Sequence, residues 1–518
     1  MNVELFKYKF QGGFDGVITK TKFKIGVRHV QMLYMFLCAV VMGALRGGVG
    51  VQLLAVVDSS RRNDTYIQIQ DWDRRVQGTI LSSFFFGYAL MLLPAEMYLK
   101  KLGDKFVITS VLLTNGGLSA AMPTIVNRGG WAAMCNAHFL MGMTQACLSP
   151  INRALLSEWL PPAERDGFAR FIDAGIYLGM IAALPLAGLM TESRLGWELL
   201  FYSQAMMTLS MAAIWSLLTA ASPDQHQAVG DFEKEFIKEA SAGYREKRLQ
   251  KPWRSILKSR QVWAVACAHA AGNALFIFYL VNVPLYIRTM GFTLKESAQF
   301  SMLPFIVLLV IHLTTAPTIT WISKTGFLTY VFSATYLRKS VNALGGFPIA
   351  IGLMLLPNIT VEWIYLRLSV LIGTFGLLGL QYSGFLENIR DFTENYSGVI
   401  FVASSTFASM VGATIPLLTG LVLNHDVVCL VIINTPTAGQ RDDPYRWRIL
   451  FCTLGGFYAT CNVIYAVIGS SDRPAWDDVG KNKFGYHNSV LAYEGTQEVE
   501  LLDLDYRNTI KKKHETRA

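Results

Sequence analysis

This 518-residue chain is short of charge. Asp, Glu, Lys and Arg make up 16% of it against 52% hydrophobic residues, and its mean hydropathy is +0.34. A soluble chain carries about 25% charged residues, so a string of soluble domains is excluded and a polytopic membrane protein is implied. Paired cysteine spacing is also missing. Six of the seven cysteines (Cys38, Cys135, Cys147, Cys267, Cys452 and Cys461) lie inside apolar runs and read as packing residues, which leaves only Cys429, in a loop, open to oxidation. There is no nucleophile elbow, no phosphate-cradling Gly-Lys-Ser/Thr loop and no metal-ligand cluster. Those absences argue against an enzyme, an ATP-driven pump and a bound cofactor. The net charge of +9 is spread over several segments, which fits membrane-flanking loops better than nucleic acid. The first thirty residues are polar and basic, without the apolar core of a signal peptide, and read as a cytosolic tail.

What the chain has in abundance is apolar runs of spanning length, about twenty residues each. They fall near 31–57, 77–99, 106–126, 131–157, 170–191 and 197–219, then near 262–286, 297–322, 341–357, 361–385, 397–423 and 449–469. The expected fold is therefore all-α, with 12 transmembrane helices in two six-helix halves, the layout of a two-bundle transporter. The expected divisions are an N-terminal tail (1–30), a first bundle (31–219), a central loop (220–261), a second bundle (262–469) and a C-terminal tail (470–518). The run at 341–357 is the shortest. The central loop has room for one amphipathic helix.

Basic residues set the orientation. Lys7 to Arg28, Lys100, Lys101 and Lys105, nine basic residues from Lys234 to Arg260, and the tail from Arg473 to Arg517 cluster on one side. The other side holds chiefly Arg61, Arg62, Arg74, Arg75, Arg441, Arg446 and Arg448. Both tails are therefore expected in the cytosol. The sequons at Asn63 and Asn358 then fall outside as glycosylation candidates, and the one at Asn395 falls inside.

Arg46 stands in the middle of the first run, in MGALRGGVG. A mid-membrane arginine costs at least ~2.5–3.5 kcal/mol, so it must face a cavity or an anionic partner. The favoured role is to bind a substrate anion; the competing role is a structural ion pair. Gly47, Gly48 and Gly50 would let a helix or a substrate approach closely. His138 and Arg153 in the fourth run, and His269 and Asn273 in the seventh, are further substrate-binding candidates. A packing role competes for each histidine, and snorkelling to the membrane edge competes for Arg153. Tyr88 and Gln145 are polar linings, with packing the usual role of tyrosine. Arg367 reads as structural, and Glu387 follows the tenth run.

Trp72 with QGTILSSFFFGY (77–88) and Pro94 resembles the second-helix signature of the anion/phosphate branch of the major facilitator superfamily. That branch holds sialin, the vesicular glutamate transporters, the type I sodium–phosphate cotransporters and the insect-type inorganic phosphate cotransporter-like proteins. Pro150 with EWLPPAER (158–165) resembles its fourth-helix ending, and GIYLGMIAALPLAG (175–188) its fifth helix. His269 with Phe276–Tyr279 and Pro284, LRKSVNALGGF, GFLENIRDFTENYSGVI and RPAWDD extend the likeness over roughly residues 27–480. The resemblance implies alternating access to a central site, with Arg46 in the place of the family's anion-binding arginine.

The departures are specific. Gly48 and Gly50 replace an Asn and a Ser, and Pro94-Ala95-Glu96 replaces Pro-Gly-Gly. His138, Gln145 and Gly272 replace an arginine, an acid and an arginine of the glutamate transporters, and Arg153 stands where histidine is common. Glutamate transport is therefore not expected, and Gln145 cannot carry a proton; His138 is the candidate to take its place, since free imidazole titrates near neutral pH. The expected function is secondary active transport of inorganic phosphate or small organic anions, driven by sodium or protons. Its rivals are an anion conductance and a transporter-shaped sensor or scaffold. The expected partners are a small anion and the lipid bilayer, in the plasma membrane or a lysosomal or vesicular one. The tail's Glu498 and Leu501-Leu502 resemble a dileucine sorting signal but depart from its spacing, and the favoured reading is a charged, disordered-type tail.

Overall fold

The computed structural model describes residues 26–61, 68–98, 102–242, 251–324, 333–393, 395–424 and 444–477. Cys429, Asn63, Glu498 and Leu501-Leu502 lie outside them. Every regular element among the described residues is helical. The helices are α1 (Val27–Val56), α2 (Arg74–Tyr98), α3 (Asp104–Ala146), α4 (Leu148–Trp159), α5 (Pro162–Thr191), α6 (Gly196–Leu218), α7 (Asp231–Ala242) and α8 (Trp253–Lys258). They continue as α9 (Arg260–Val281), α10 (Val283–Thr289), α11 (Leu294–Lys324), α12 (Ala334–Leu355), α13 (Ile364–Gly376), α14 (Leu378–Phe392), α15 (Ser397–Leu423) and α16 (Pro444–Ile468).

Among the described residues ten helical runs are long and apolar enough to cross a membrane, and one of them, Asp104–Trp159, has 56 residues. Straight, it would be about 84 Å long, far more than a bilayer needs. It turns back at Gly130 (φ 63°, ψ −159°), in a region open essentially to glycine alone. The fold-back is proved by side chains: Asn115 Nδ2 donates to Thr144 Oγ1 at 2.9 Å, and Gln145 Nε2 donates to Asn115 Oδ1 at 3.0 Å. Divided at Gly130, the run supplies two passes. With α6, 23 residues long, a helix stands at each of the twelve apolar windows.

Several helices outrun their windows, because polar first turns extend a helix past its apolar stretch. α5 begins at Pro162, with proline in the first turn where its missing N–H costs nothing. α12 begins at Ala334 behind a Ser333 cap that accepts from Tyr336 N, and its Arg338 pairs with Asp391 of α14 at 2.6 Å. The connector supplies α7, whose Glu233 accepts from the Val27 and Arg28 backbone N–H groups at 3.1 Å each. A carboxylate there stabilises the α1 N-terminus. Arg28 also binds Glu164 at the start of α5 (3.3 Å). The face of the bundle where α1 begins and α16 ends is called the terminal face below.

α1 packs along α5, and α2 along the return pass of α3, backbone to backbone through glycines. A Cβ on Gly179 would sit 2.0 Å from Val40 O, and one on Gly142 would sit 2.0 Å from Phe84 O. In the second set of helices, Asn342 (α12), Gln381 (α14) and Tyr458 and Asn462 (α16) share a buried hydrogen-bond network, the polar cement expected between membrane helices. The two sets meet along α2–α15 and α5–α11. Toward the face opposite the terminal one they close on glycine. Gly50 lies against Leu280 and Val281 of α9, Gly78 against Pro416 and Gly420 of α15, and Gly188 against Lys295 and Ala298 of α11. Asp58–Arg288 (2.7 Å) and Glu192–Lys295 (3.0 Å) tie the same end.

The turn at Gly130 yields a test, because a Cβ there would meet nothing within 4 Å. Gly130→Ala should cost ~1–3 kcal/mol through backbone strain alone and lower the unfolding midpoint of the detergent-purified protein. Gly117→Ala, equally open but within a regular helix, should leave it unchanged or higher.

Candidate functional site

α1 carries Arg46 on a stretch whose glycines do different work. Gly43 and Gly47 rest on Ile176 and Met180 of α5, and Gly50 rests on α9. A Cβ on Gly48 would meet the amides of Gln52 and Gln204 at 3.0 Å. The stretch is thus wedged between the two sets of helices, which holds Arg46 at their junction. The guanidinium lies 4.8 Å above the Tyr88 ring of α2, and its Nε donates to Gln145 Oε1 of α3 at 2.7 Å. Arg46 is partly buried, and no carboxylate among the described residues pairs with it. Gln145 is held by Asn115, which also donates to Thr144, so the amide is fixed with its oxygen toward the guanidinium.

The chemical consequence is an uncompensated positive charge. A glutamine accepts a hydrogen bond as a carboxylate would, but it neutralises nothing. An arginine stays protonated, and leaving its charge unmatched inside a protein costs several kcal/mol. The Tyr88 face offsets part of that through its quadrupole. The rest favours an arriving anion, which the planar fork can grip with two parallel hydrogen bonds.

The other residues singled out in the sequence do not all join this group. His138 is buried on the return pass of α3, with Nδ1 3.0 Å from the Met134 carbonyl of its own helix. It shares a helix face with Gln145, two turns away. Arg153 of α4 is paired with Glu96 of α2 at 3.1 Å and lies 5.5 Å over the Phe401 ring of α15, so its charge is answered within the protein. Both partners of that pair are departures from the family pattern, and they occur together. His269 of α9 has Nδ1 3.2 Å from Ser404 Oγ and faces the rings of Phe385 and Phe401. Asn273, one turn on, donates to the Ala408 carbonyl at 3.0 Å and is committed to packing α9 on α15. Arg367 binds the Ile359 carbonyl through Nε at 2.7 Å, the structural role expected of it. Tyr88 and Phe401 pack on one small cluster of Leu92, Ala146 and Val402, which links the Arg46 side of the junction to the His269 side.

Sequence reasoning missed an aromatic–histidine group at the same junction. Tyr177 (α5) lies 6.2 Å from the rings of both Phe276 (α9) and His312 (α11), and Tyr382 (α14) lies 6.0 Å from His312. The available signal was one histidine inside the apolar run LLVIHLTT.

The Glu96–Arg153 pair predicts a measurable coupling. Glu96→Gln and Arg153→Gln should each lower thermal stability in detergent. The double variant should fall short of their sum by about 1 kcal/mol, as for a partly exposed ion pair in a double-mutant cycle.

Comparison with known proteins bears on the family and the fold. The sequence profile of the Major Facilitator Superfamily matches residues 33–416. The chain is 26% identical over 416 residues (80% of this chain, 82% of the other) to a Drosophila ananassae protein described as "Putative inorganic phosphate cotransporter". It is 24% identical over 483 residues (90% and 78%) to the Homo sapiens "Vesicular glutamate transporter 2". Among solved structures it resembles the D-xylose-proton symporter, with a TM-score of 0.61 at 13% identity over 85% of this chain and 98% of that one. A bacterial homologue of the human lysosomal transporter Spinster gives 0.60 at 13% identity over 85% and 96%.

Proposed function

We propose, from the premise that this chain belongs to the Major Facilitator Superfamily, that it moves inorganic phosphate or a small organic anion by alternating access, with Arg46 as the anion's counter-charge. It is a multi-pass membrane transporter of that family and not an enzyme. The observation that carries the anion reading is the Arg46 guanidinium. It stands at the junction of the two sets of helices, stacked on Tyr88, hydrogen-bonded to a neutral amide and matched by no carboxylate among the described residues. An incoming anion completes the charge balance, and its departure restores the imbalance, so binding and release are coupled to how closely α1 packs. Arg153, answered by Glu96, takes a supporting part at the terminal face. His269 and Tyr88 line the junction, while His138 and Asn273 support the helices that form it. The relatives named for phosphate and glutamate transport support an anionic substrate, and the neutral Gln145 supports one that is not glutamate. A sodium or proton gradient supplies the driving force.

The two six-helix bundles (31–219 and 262–469) are the moving bodies in this reading, and the glycine contacts opposite the terminal face are where they separate. The terminal face is cytosolic.

Purified protein in liposomes tests the central claim. Uptake of labelled inorganic phosphate, and of a panel of small organic anions, is measured under separately imposed sodium and proton gradients. Arg46→Ala should reduce gradient-driven uptake roughly 10–100-fold, the range for losing a charge-assisted contact, in protein that remains monodisperse. Uptake unaffected by Arg46→Ala would refute the assignment. Anion-dependent stabilisation without uptake under any gradient would favour a sensor. Orientation has its own check: Asn358, exposed in a turn opposite the terminal face, and Asn63 should carry glycans. Their joint replacement by Gln should abolish the glycosidase-sensitive mass shift, while Asn395→Gln leaves it intact.

A further inference from the structure

One face of α5 carries Asp166, Arg170, Asp173 and Tyr177, spaced four, three and four residues apart, which places them in a single stripe along the helix. Contacts at three levels show that this stripe faces the second set of helices. Asp166 lies 3.6 Å from Arg390 of α14. Tyr177 meets Phe276 and His312. Gly188, three turns further along, abuts α11. Asp173 therefore points between the two halves and not into lipid. It is exposed there, with no hydrogen bond or ion pair among the described residues. The fields of Arg153 and Arg390, one from each half, reach it. The Gly47–Met180 contact sets Arg46 level with Met180, so Asp173 lies seven residues nearer the terminal face, about 10 Å along the axis. It thus stands between the Arg46 level and the terminal face, on the side of α5 turned to the second half.

We propose that Asp173 is the proton-carrying carboxylate of this transporter, a proposal that rests on the anion-transport reading above. Gln145, next to Arg46, has no proton to exchange. The histidines are occupied or sealed: His138 by Met134, His269 by Ser404, while His312 Nδ1 is buried without a partner. Asp173 is open. Ionised, it places a negative charge across the anion's route and weakens anion binding about tenfold at that separation. Protonated, it removes that barrier. The proton comes from water on the side to which the transporter is open, stays on a carboxyl oxygen through the conformational switch and returns to water on the other side. No other bond changes. The charged groups whose fields reach it are Arg153 of α4 and Arg390 of α14, the latter paired with Glu387; Asp166, Arg170 and Tyr177 share its stripe on α5, and His312 of α11 lies against Tyr177. The arginines keep their charge throughout, so the carboxylate is the group that changes the sign of this level of the route.

The test uses the full-length chain in liposomes with labelled inorganic phosphate as probe. It measures exchange at equal pH on both sides, and accumulation under an imposed pH gradient. Asp173→Asn should retain exchange at saturating phosphate, bind phosphate more tightly than the wild type at high pH, lose at least tenfold in pH-driven accumulation, and flatten the pH profile of exchange. Asp173→Glu should restore the wild-type behaviour. PH-driven accumulation that survives Asp173→Asn, equal loss of exchange and accumulation, or a wild type driven by sodium alone would each overturn this proposal and leave the transport reading standing. A wild type showing neither exchange nor accumulation would overturn both.

Discussion

The structure is organised around one unbalanced charge. Arg46 is placed at the junction of two sets of helices and given a neutral amide, Gln145, where a carboxylate would have neutralised it. Everything nearby serves to make that tolerable without cancelling it. Asn115 fixes the amide, Tyr88 offers its ring face, and glycines let α5 and α9 close over the helix that carries the arginine. A full ion pair would be more comfortable for the empty protein and less receptive to an anion. In the proposed role, that unmatched charge is what favours a negatively charged ligand.

In the proposed transport cycle the helices around that site move, and the two ends of the bundle are closed by different contacts. Opposite the terminal face the halves touch backbone to backbone through Gly50, Gly78 and Gly188, backed by the Asp58–Arg288 and Glu192–Lys295 pairs. Near the terminal face their contacts are made by long side chains, Asp166 with Arg390 and Arg153 with Phe401. Close glycine contact excludes water and side chains alike, whereas side-chain contacts can exchange partners as helices slide. The two ends are thus built from different kinds of interface.

The departures from the family pattern make sense as compensated sets. Arg153 by itself looks like a second anion-binding residue, yet it arrives together with Glu96, which neutralises it across α2 and α4. Gly50 gives up a polar side chain and gains contact with the backbone of α9. In a low-dielectric interior a charge is rarely changed alone, because its field reaches every neighbour.

The apolar runs and the placement of basic residues determined, without any structure, that this is a helical membrane protein, roughly where each helix crosses, and that Arg46 is the residue to explain. Those features are local: about twenty apolar residues suffice to define a span, and one arginine inside it is conspicuous by itself. The fold-back at Gly130 was legible for the same reason, as a break between two runs. What only the tertiary structure decided was which polar groups meet. Nothing in the sequence says that Glu96 answers Arg153, that Asn273 is spent on the Ala408 carbonyl, or that Asp166, Asp173 and Tyr177 look across at the second half. Such pairings depend on helix rotation and register between segments far apart in the chain. In a bundle those are set by the sum of many small packing contacts, not by any motif a single segment carries.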